Sequence, residues 1–265
     1  MDKREIDLQE GLKIYFASDF HLGAPDKRSS REREMRIIQW LDRIKPDAQE
    51  LFILGDIFDF WYEYPFLAPK GHIRFLAKIA EFTDRGIPVF LFKGNHDMWM
   101  KNYLPDELGV KIIDNNLELI INDKKLLIGH GDGLGPGDLS YKFLRSIFRS
   151  AWAQWLFSRF HPNFSFWIAN TWSSNSRLHN DTDRINLGDK EMIYQYCLEQ
   201  ESKLHHDYYV FGHRHLPMEM KIGESGIYYN CTVTTIKHAL HMALNKEQIA
   251  QRIAKELKDR YYVNL

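Results

Sequence analysis

Five short segments of the sequence combine aspartate, asparagine and histidine, the side chains that bind divalent cations in catalytic sites. Imidazole nitrogens and carboxylate or amide oxygens suit Mn²⁺, Fe²⁺ or Zn²⁺, and none of the segments contains a cysteine. Together they offer about enough ligands for two cations, a pair that favours hydrolytic chemistry. The five segments are Asp19-Phe20-His21, Gly55-Asp56-Ile57-Phe58-Asp59, Gly94-Asn95-His96-Asp97, Gly129-His130-Gly131-Asp132 and Gly212-His213-Arg214-His215.

Each segment taken alone is a weak signal. A lone Asp-x-His or Gly-Asp occurs by chance in most chains, and a single histidine is more often a hydrogen-bonded surface or core residue. The alternation in Asp19-x-His21 and in His213-x-His215 places both side chains of each pair on the same side of an extended segment. The metal hypothesis therefore depends on the five segments meeting at one place.

The elements around these segments predict that they do meet. Short apolar runs, β-branched or aromatic and bounded by turn signals, are typical of buried strands. Segments with helical spacing, such as Glu32–Ile44 and Ile73–Phe82, alternate with them as in an α/β protein. Ligands of open α/β sheets bind beyond the carboxyl ends of the strands, where five of the runs lead into the five segments. The predicted strands are Leu12–Ala17, Leu51–Leu54, Val89–Phe92, Leu126–Ile128, Tyr208–Phe211 and Tyr228–Val233.

The composition is that of a globular protein, with 265 residues, 44% hydrophobic and 27% charged. About three quarters of the unfolded surface can be buried at this size, so a bound metal is expected to be catalytic rather than structural. Two cysteines without CxxC spacing and a charged start, Met1–Asp7, favour a cytoplasmic location. No stretch is long and apolar enough to span a bilayer, and the net charge of −1 gives no general attraction to nucleic acid.

The order of the five segments resembles that of the calcineurin-like metallophosphoesterases, over residues 19–215. The resemblance implies an α/β fold, a four-layer αββα sandwich of two mixed β-sheets, with a dimetal centre at the strand ends bridged by Asp56. Mn²⁺ is the expected ion, and Fe²⁺, Zn²⁺ or Mg²⁺ would also suit these ligands. The implied ligands are Asp19, His21, Asp56 and His215 for the first cation and Asp56, Asn95, His130 and His213 for the second.

A centre of this kind predicts hydrolysis of phosphoesters or phosphoanhydrides. Two divalent cations outweigh the carboxylates of Asp19 and Asp56, attract an anionic phosphate and lower the pKa of water toward neutrality. His96, which follows a ligand and precedes Asp97, is the candidate to assist departure of the leaving group. Asp59 is expected to orient a ligand, so His96, Asp59 and Asp97 are the candidate catalytic residues.

Residues 139–180 form an insertion with its own composition, which we call the cap, within a single predicted domain of residues 1–265. The cap contains no Asp or Glu, carries five Lys or Arg, and has eleven aromatic residues. Its spacing predicts one helix from Tyr141 to Trp155 and a second from Phe164 to Trp172. An apolar stripe usually marks core, but a basic aromatic pair of helices also suits anionic lipid or an acylated substrate.

The cap and its borders resemble those of the UDP-2,3-diacylglucosamine hydrolases, pyrophosphatases of the lipid A pathway. The matching motifs are Asp56-x-x-Asp59-Phe60-Trp61 and Asn175-Ser176-Arg177-Leu178-His179-Asn180. The resemblance implies hydrolysis of UDP-2,3-diacylglucosamine at the α-phosphorus, giving UMP and 2,3-diacylglucosamine 1-phosphate. It also implies an enzyme peripherally associated with the cytoplasmic face of the inner membrane, with no nucleic-acid partner.

The same resemblance implies the contacts to this UDP-linked acylated glucosamine. Apolar side chains of the cap would hold the acyl chains. The uridine or glucosamine portion would meet Asp138, Ser176 and Asn180, and the diphosphate would meet Asn95, His96, His213 and Arg177.

Two departures from the pattern keep other functions open. Many members have arginine at the position of His96, and Gly-Asp-Trp at the position of Cys231-Thr232-Val233. A related enzyme acting on another phosphodiester or nucleotide diphosphate is one alternative, and a general phosphodiesterase or nuclease that uses the basic cap as a groove is another. A binding scaffold without catalysis is the third, although such a scaffold is expected to have lost ligands and all seven are present.

Overall fold

The computed structural model describes residues 2–137, 139–179 and 185–232, with the side chains of residues 170 and 172–179 excepted. Five predicted strands are confirmed as β2, β3, β4, β7 and β8. The sixth is confirmed as β10, which ends at Asn230, whereas Val233 lies outside the described residues. The strands are β1 (Asp2–Ile6), β2 (Lys13–Ala17), β3 (Ala48–Ile53), β4 (Val89–Phe92), β5 (Lys111–Ile113), β6 (Leu117–Ile121), β7 (Lys124–Gly129), β8 (Tyr208–Phe211), β9 (Met218–Ile222) and β10 (Gly226–Asn230).

Both predicted helices before the cap are confirmed, as α1 and α2. Helix α1 begins after Asp26, whose carboxylate accepts hydrogen bonds from the backbone N–H groups of Arg28 and Ser29. The helices are α1 (Lys27–Ile44), α2 (Ile73–Asp84), α3 (Tyr103–Leu108), α4 (Leu139–Arg149), α5 (Ala151–Phe157), α6 (Pro162–His179) and α7 (Met192–Glu201), with a 3₁₀ turn at Gly188–Lys190.

The strands form two sheets, as predicted. The six-stranded sheet has the order β1-β6-β7-β8-β10-β9 and is mixed, because β6 and β7 and also β9 and β10 pair antiparallel. The four-stranded sheet has the order β2-β3-β4-β5, and its pairings among the described residues are all parallel, so for this part of the chain the expectation of a second mixed sheet is wrong. The physical reason is that helices α1, α2 and α3 connect its successive strands, and a helical crossover returns the chain in the same direction.

The side chains alternate along the strands and so sort into three layers of core. In β2, Ile14 and Phe16 face the other sheet, whereas Tyr15 and Ala17 face the helices. The rings of Phe16, Phe52 and Phe90 stack between the sheets. Helices α1, α2 and α3 cover the outer face of the small sheet and α7 covers that of the large sheet, which confirms the αββα layers.

The second predicted cap helix, Phe164 to Trp172, is confirmed within the longer α6 (Pro162–His179), whereas the first differs from the prediction. The helix expected from Tyr141 to Trp155 is two helices, α4 and α5, because Ser150 has an extended backbone and its hydroxyl accepts a hydrogen bond from the N–H of Ala153. The break changes the direction of the chain between the two helices, so the apolar stripe does not continue along one face. Trp152 and Trp155 of α5 are exposed. No side chain of α4 or α5 is fully buried. In the described part of the chain, we find no helix with the length and hydropathy needed to span a membrane.

Candidate metal centre

The structure brings the seven predicted ligands together where the two sheets adjoin. Each ligand lies in a loop directly after β2, β3, β4, β7 or β8, so three loops come from the small sheet and two from the large one. The loops bond to one another, since the N–H of Asp19 donates to Gly55 and the N–H of Gly212 donates to His130, at 3.1 and 2.8 Å. The convergence predicted at the carboxyl ends of the strands is therefore confirmed.

The backbone at the ligands is strained. Seven described residues other than glycine have positive φ, and five of them are predicted ligands. Such a conformation costs about 1 to 3 kcal/mol per residue and persists where the surroundings fix it, which is typical of functional sites. The five ligands are Asp19 (φ 59°), His21 (φ 44°), Asp56 (φ 51°), His213 (φ 74°) and His215 (φ 50°).

The glycines that precede the ligands allow the loops to approach closely. A Cβ atom on Gly55 would lie 2.7 Å from Nδ1 of His130 and 2.9 Å from the backbone nitrogen of Gly94, and the φ of Gly55 is +88°. A Cβ atom on Gly94 would collide with the carboxylate of Asp56. Larger residues at these positions would separate the ligands, since backbone cannot move aside as a flexible side chain can.

The first ligand group consists of Asp19, His21, Asp56 and His215, and one ligand atom from each lies within 4.8 Å of the others. Nε2 of His21 is 2.8 Å from Nε2 of His215 and 3.7 Å from Oδ2 of Asp56. Nε2 of His215 is 3.5 Å from Oδ1 of Asp19. Two imidazole nitrogens that face each other beside two carboxylates are a donor set for a divalent cation.

The second group consists of Asp56, His130 and His213, again within 4.8 Å, with Asn95 between the two histidines. Oδ1 of Asn95 is 3.1 Å from Nε2 of His130 and 3.0 Å from Nδ1 of His213. Nδ1 of His130 donates to the carbonyl of Leu54 at 2.7 Å, which turns Nε2 toward the site. This set also fits a divalent cation.

Asp56 belongs to both groups, as a bridging ligand must. Its Oδ1 accepts a hydrogen bond from the N–H of His96 at 2.9 Å, whereas its buried Oδ2 accepts none from the described residues. Nε2 of His130 and Nε2 of His21 lie 3.4 and 3.7 Å from that Oδ2, one from each group. A buried carboxylate oxygen without a hydrogen bond is costly unless a cation binds it, so the residues fit a dimetal centre.

Burial and mutual attraction shift the pKa values of the ligands. Burial lowers the pKa of His213 to about 4 and that of His215 to about 3, so both are neutral imidazoles, the form that binds metal. Burial raises the pKa of Asp19 to about 7. Burial alone would lower the pKa of His130, but Asp56 and Asp19 overcome it and raise the pKa to about 10. The carboxylates thus attract positive charge to the position expected for a cation.

The three candidate catalytic residues occupy different places. The ring of His96 lies 4.9 Å from that of His21, and Nδ1 of His96 is 3.0 Å from the carbonyl oxygen of Asp59. Oδ1 of Asp59 is 3.7 Å from the same Nδ1. Asp97 is fully buried and accepts hydrogen bonds from the N–H groups of Gly94, Ile57 and Phe58. Asp97 therefore joins the loops that carry Asp56 and Asn95.

The predicted substrate contacts outside the centre are not described. Asp138 and Asn180 lie outside the described residues. Ser176 and Arg177 belong to α6 by their backbone, and their side chains are also outside the described part.

Two arginines hold the ligand loops in place, and neither was predicted from the sequence. The guanidinium of Arg33 donates to the carbonyl oxygens of Phe20, His21 and Ala24, which fixes the loop after β2. Arg214, between two ligands, forms a bidentate ion pair with Glu191 at 2.7 and 3.0 Å. The signal available in the sequence was an arginine within His213-x-His215, but nothing local pointed to its partner.

A four-layer sandwich with two ligand groups that share one carboxylate defines the class, and comparison with protein families agrees with the geometry. The model of the calcineurin-like phosphoesterase family matches residues 12–217, so the chain belongs to that family and is a hydrolase. A curated relative from Porphyromonas gingivalis strain W83, named UDP-2,3-diacylglucosamine hydrolase, is 33% identical over 79% of this chain and 86% of its own length.

Further relatives are more distant. A protein of the same name from Vibrio atlanticus is 26% identical over 85% of this chain and 88% of its own length. Among solved structures, the E. coli phosphoesterase Yfce is similar with a TM-score of 0.40 and 17% identity, over 84% of this chain and 80% of that one. A likeness at that level does not bear on the substrate.

Proposed function

We propose that this protein hydrolyses UDP-2,3-diacylglucosamine at the α-phosphorus, with two divalent cations, Mn²⁺ being the expected ion. The observation that carries the proposal is the pair of ligand groups sharing Asp56 beside a basic, aromatic cap. The names of its relatives from P. gingivalis and V. atlanticus support the same substrate. Water would add to the α-phosphorus, the bond from that phosphorus to the bridging oxygen would break, and UMP and 2,3-diacylglucosamine 1-phosphate would leave.

The residues of the two groups would hold the cations. Bound cations would lower the pKa of the attacking water and stabilise negative charge on the phosphate. Asn95 and His213, each a ligand, would also meet the diphosphate. His96 would donate a proton or a hydrogen bond to the departing phosphate, with its Nδ1 held beside the carbonyl and the carboxylate of Asp59. Asp97 would act as a positioning residue, since its contacts are to backbone N–H groups.

The acyl chains would bind where the cap meets the core. The seam between cap and core is aromatic, and two hydrogen bonds hold it together. Nε1 of Trp99 donates to the backbone carbonyl of Phe148 at 2.7 Å, and the hydroxyl of Tyr62 donates to the backbone carbonyl of Gln154 at 3.0 Å. The ring of Phe157 lies 4.8 Å from that of Trp99. Phe60 and Phe166 complete the seam, with rings 5.2 Å apart. We propose that Asp138, Ser176, Arg177 and Asn180 contact the polar part of the same substrate.

The outer surface of the cap would lie on the cytoplasmic face of a membrane. Phe143, Trp152 and Trp167 have 68%, 66% and 63% of their surface exposed, and Lys142 and Arg159 lie on the same helices or between them. Side chains of this size are rarely exposed together on a protein that meets water alone. Apolar rings combined with cations suit an interface with anionic lipid, where the protein would be peripheral.

A vesicle experiment checks the membrane proposal. We expect the variant Trp152→Ser/Trp167→Ser to bind vesicles containing phosphatidylglycerol at least about tenfold more weakly, because each buried aromatic ring contributes about 1.5 to 3 kcal/mol. Cosedimentation over a lipid titration measures the change. The control is Leu204→Ser, an exposed apolar side chain after α7 and outside the cap. Equal binding of the two variants and the unmodified protein would contradict the proposal.

The reaction itself has a direct assay. The purified protein with Mn²⁺ and UDP-2,3-diacylglucosamine in detergent is expected to release UMP, detected by chromatography, with the label from H₂¹⁸O in the UMP if the attack is at the α-phosphorus. Label in the glycolipid phosphate would place the attack at the other phosphorus. No release of UMP, together with rapid cleavage of bis-p-nitrophenyl phosphate or DNA, would favour the general phosphodiesterase instead.

His96 gives specific support to another alternative, a related enzyme that acts on a different nucleotide diphosphate. The resemblance to the UDP-2,3-diacylglucosamine hydrolases implies arginine at this position, so the histidine makes another nucleotide diphosphate the second candidate substrate. His96→Arg separates the two: a higher rate on UDP-2,3-diacylglucosamine in the variant would indicate that the natural substrate differs from it.

A further inference from the structure

A cleft of about 350 Å³ lies beside the second ligand group, on the wall formed by His130, and the proposed chemistry does not use it. The loop after β7 forms one side through Asp132, the loop between β5 and β6 forms another through Asn115 and Asn116, and Arg145 of α4 lies above. Its volume is in the range of small-molecule sites. A group bound there would be next to a ligand of the second cation.

The charged side chains that line this cleft are paired with one another. Nζ of Lys93 forms an ion pair with Asp114. The guanidinium of Arg145 forms an ion pair with the buried carboxylate of Asp132, which also accepts a hydrogen bond from the hydroxyl of Tyr141. Paired charges leave little net attraction for an anion, so the cleft favours a polar group without charge.

Asn115 and Asn116 give the cleft neutral amides. An amide combines an acceptor oxygen with N–H donors, a pattern that matches the edge of a uracil base, where an N–H lies between two carbonyl oxygens. Nδ2 of Asn116 donates to the hydroxyl of Tyr196 at 3.1 Å, which fixes the orientation of that amide. The cleft is thus polar and partly preorganised, and its lysine, arginine and aspartate side chains are paired.

The aromatic seam lies toward the other ligand group. It is built from Phe60 and Trp99, which follow Asp59 and Asp97 closely in the chain, and the carbonyl of Asp59 contacts His96. His96 in turn packs on His21 of the first group, whereas the cleft adjoins His130 of the second. Apolar and polar surfaces are therefore found at different ends of the metal centre.

We infer that this cleft binds the nucleoside of a pyrimidine nucleotide substrate, while the seam under the cap binds its apolar end. The inference rests on the proposed function, because a nucleotide joined to a lipid through a diphosphate is the substrate whose two ends require two such surfaces. The scissile diphosphate then spans the two ligand groups. Asn116 is the specificity residue for the base, and Asn115 lies at the rim.

Binding of UMP to the Mn²⁺-loaded protein tests the assignment. Asn115→Trp, which fills the cleft, and Asn116→Ala, which removes the amide, are expected to raise the dissociation constant for UMP at least about tenfold by calorimetry. Inhibition by 2,3-diacylglucosamine 1-phosphate should change less than about twofold. Asn102→Trp is the control, since it places the same ring on an exposed asparagine beside α3, away from His130.

The possible results test the nucleoside site and the proposed reaction separately. Unchanged affinity for UMP in both cleft variants, with UMP still released from UDP-2,3-diacylglucosamine, overturns the nucleoside site and leaves the proposed function in place. Equal weakening of UMP and of the glycolipid phosphate also overturns it, because the cleft would then be a shared phosphate site. Absence of UMP release by the unmodified protein overturns the proposed function itself. Thermal unfolding in the presence of Mn²⁺ shows whether the Asn116→Ala variant is folded. Asn115 is exposed, so the Asn115→Trp variant tests the cleft even if Asn116→Ala does not fold.

Discussion

Replacement of Asp56 by asparagine is expected to abolish hydrolysis, with a loss of at least about 10³-fold in kcat/KM. Asp56 is the one carboxylate that belongs to both ligand groups, and its Oδ2 lies between His21 and His130. A bound divalent cation contributes several kcal/mol of transition-state stabilisation, and each 1.36 kcal/mol is tenfold in rate. The variant should also lose affinity for both ions, which metal analysis after equilibrium dialysis against Mn²⁺ measures.

Two further variants make this result specific. His215→Ala removes a ligand of the first group and should retain close to one ion per chain, because Asn95, His130 and His213 remain with Asp56. Asp84→Asn, at the exposed end of α2, carries the same chemical change and should bind metal normally. Two ions bound tightly by Asp56→Asn would refute the shared centre.

Loss of the ion pair behind the ligand loop is expected to have the largest effect on stability. Glu191 is 1% exposed and Arg214 is 8% exposed, so Glu191→Ala removes the carboxylate that forms an ion pair with a buried guanidinium. Breaking such a pair costs about 3 to 5 kcal/mol. For a chain of this size, that corresponds to a fall in Tm of roughly 6 to 20 °C by calorimetry or circular dichroism.

The surroundings of the pair explain the size of the effect. Glu191 also accepts a hydrogen bond from the N–H of Leu187, and the guanidinium also donates to the carbonyl of Ile185, at 3.0 and 3.1 Å. Arg214 lies between His213 and His215, both at positive φ, so the pair also restrains a strained loop. Weaker binding of Mn²⁺ should therefore accompany the lower Tm.

A matched surface change and a double variant complete the experiment. Glu199→Ala breaks an exposed pair with Lys203 four residues later and should cost at most about 1 kcal/mol. Glu191→Leu/Arg214→Met replaces both charges with apolar side chains and should recover most of the lost stability. A Tm of Glu191→Ala within 2 °C of the unmodified protein, roughly the effect of one surface pair, would show that the buried pair is not important to the fold.

The strands and helices nearest the centre were predictable because their signals are local. Runs such as Val89–Phe92 are apolar and short, and a buried strand is the structure that suits them. Strand β1, Asp2–Ile6, was missed because it lies at a sheet edge, where charged residues are favoured and the apolar pattern disappears. Strand β9, Met218–Ile222, alternates with charged residues at the other edge and was missed for the same reason.

The cap shows where a sequence pattern is insufficient. The apolar stripe from Tyr141 to Trp155 has one period, and the period alone indicates a helix packed along one face. Both halves contact the core, since Phe148 accepts a hydrogen bond from Trp99 and Gln154 accepts one from Tyr62. Both halves also expose a large ring, Phe143 in the first and Trp152 in the second. A single hydroxyl, that of Ser150, caps the second helix and separates the two halves. Which face of each cap helix contacts the core depends on the core residues that lie opposite it, and the period of the stripe does not give that information.

The sequence by itself determined the kinds of ligand, their order and their positions after strands, because these depend on residue chemistry and on short-range propensity. The tertiary structure decided that Asp56 lies between two groups of histidines, that Glu191 neutralises Arg214, and that a polar cleft adjoins His130. Each of these joins residues that are distant in the chain. Their distances follow from how two sheets pack and how closely loops approach, and no local pattern carries that information.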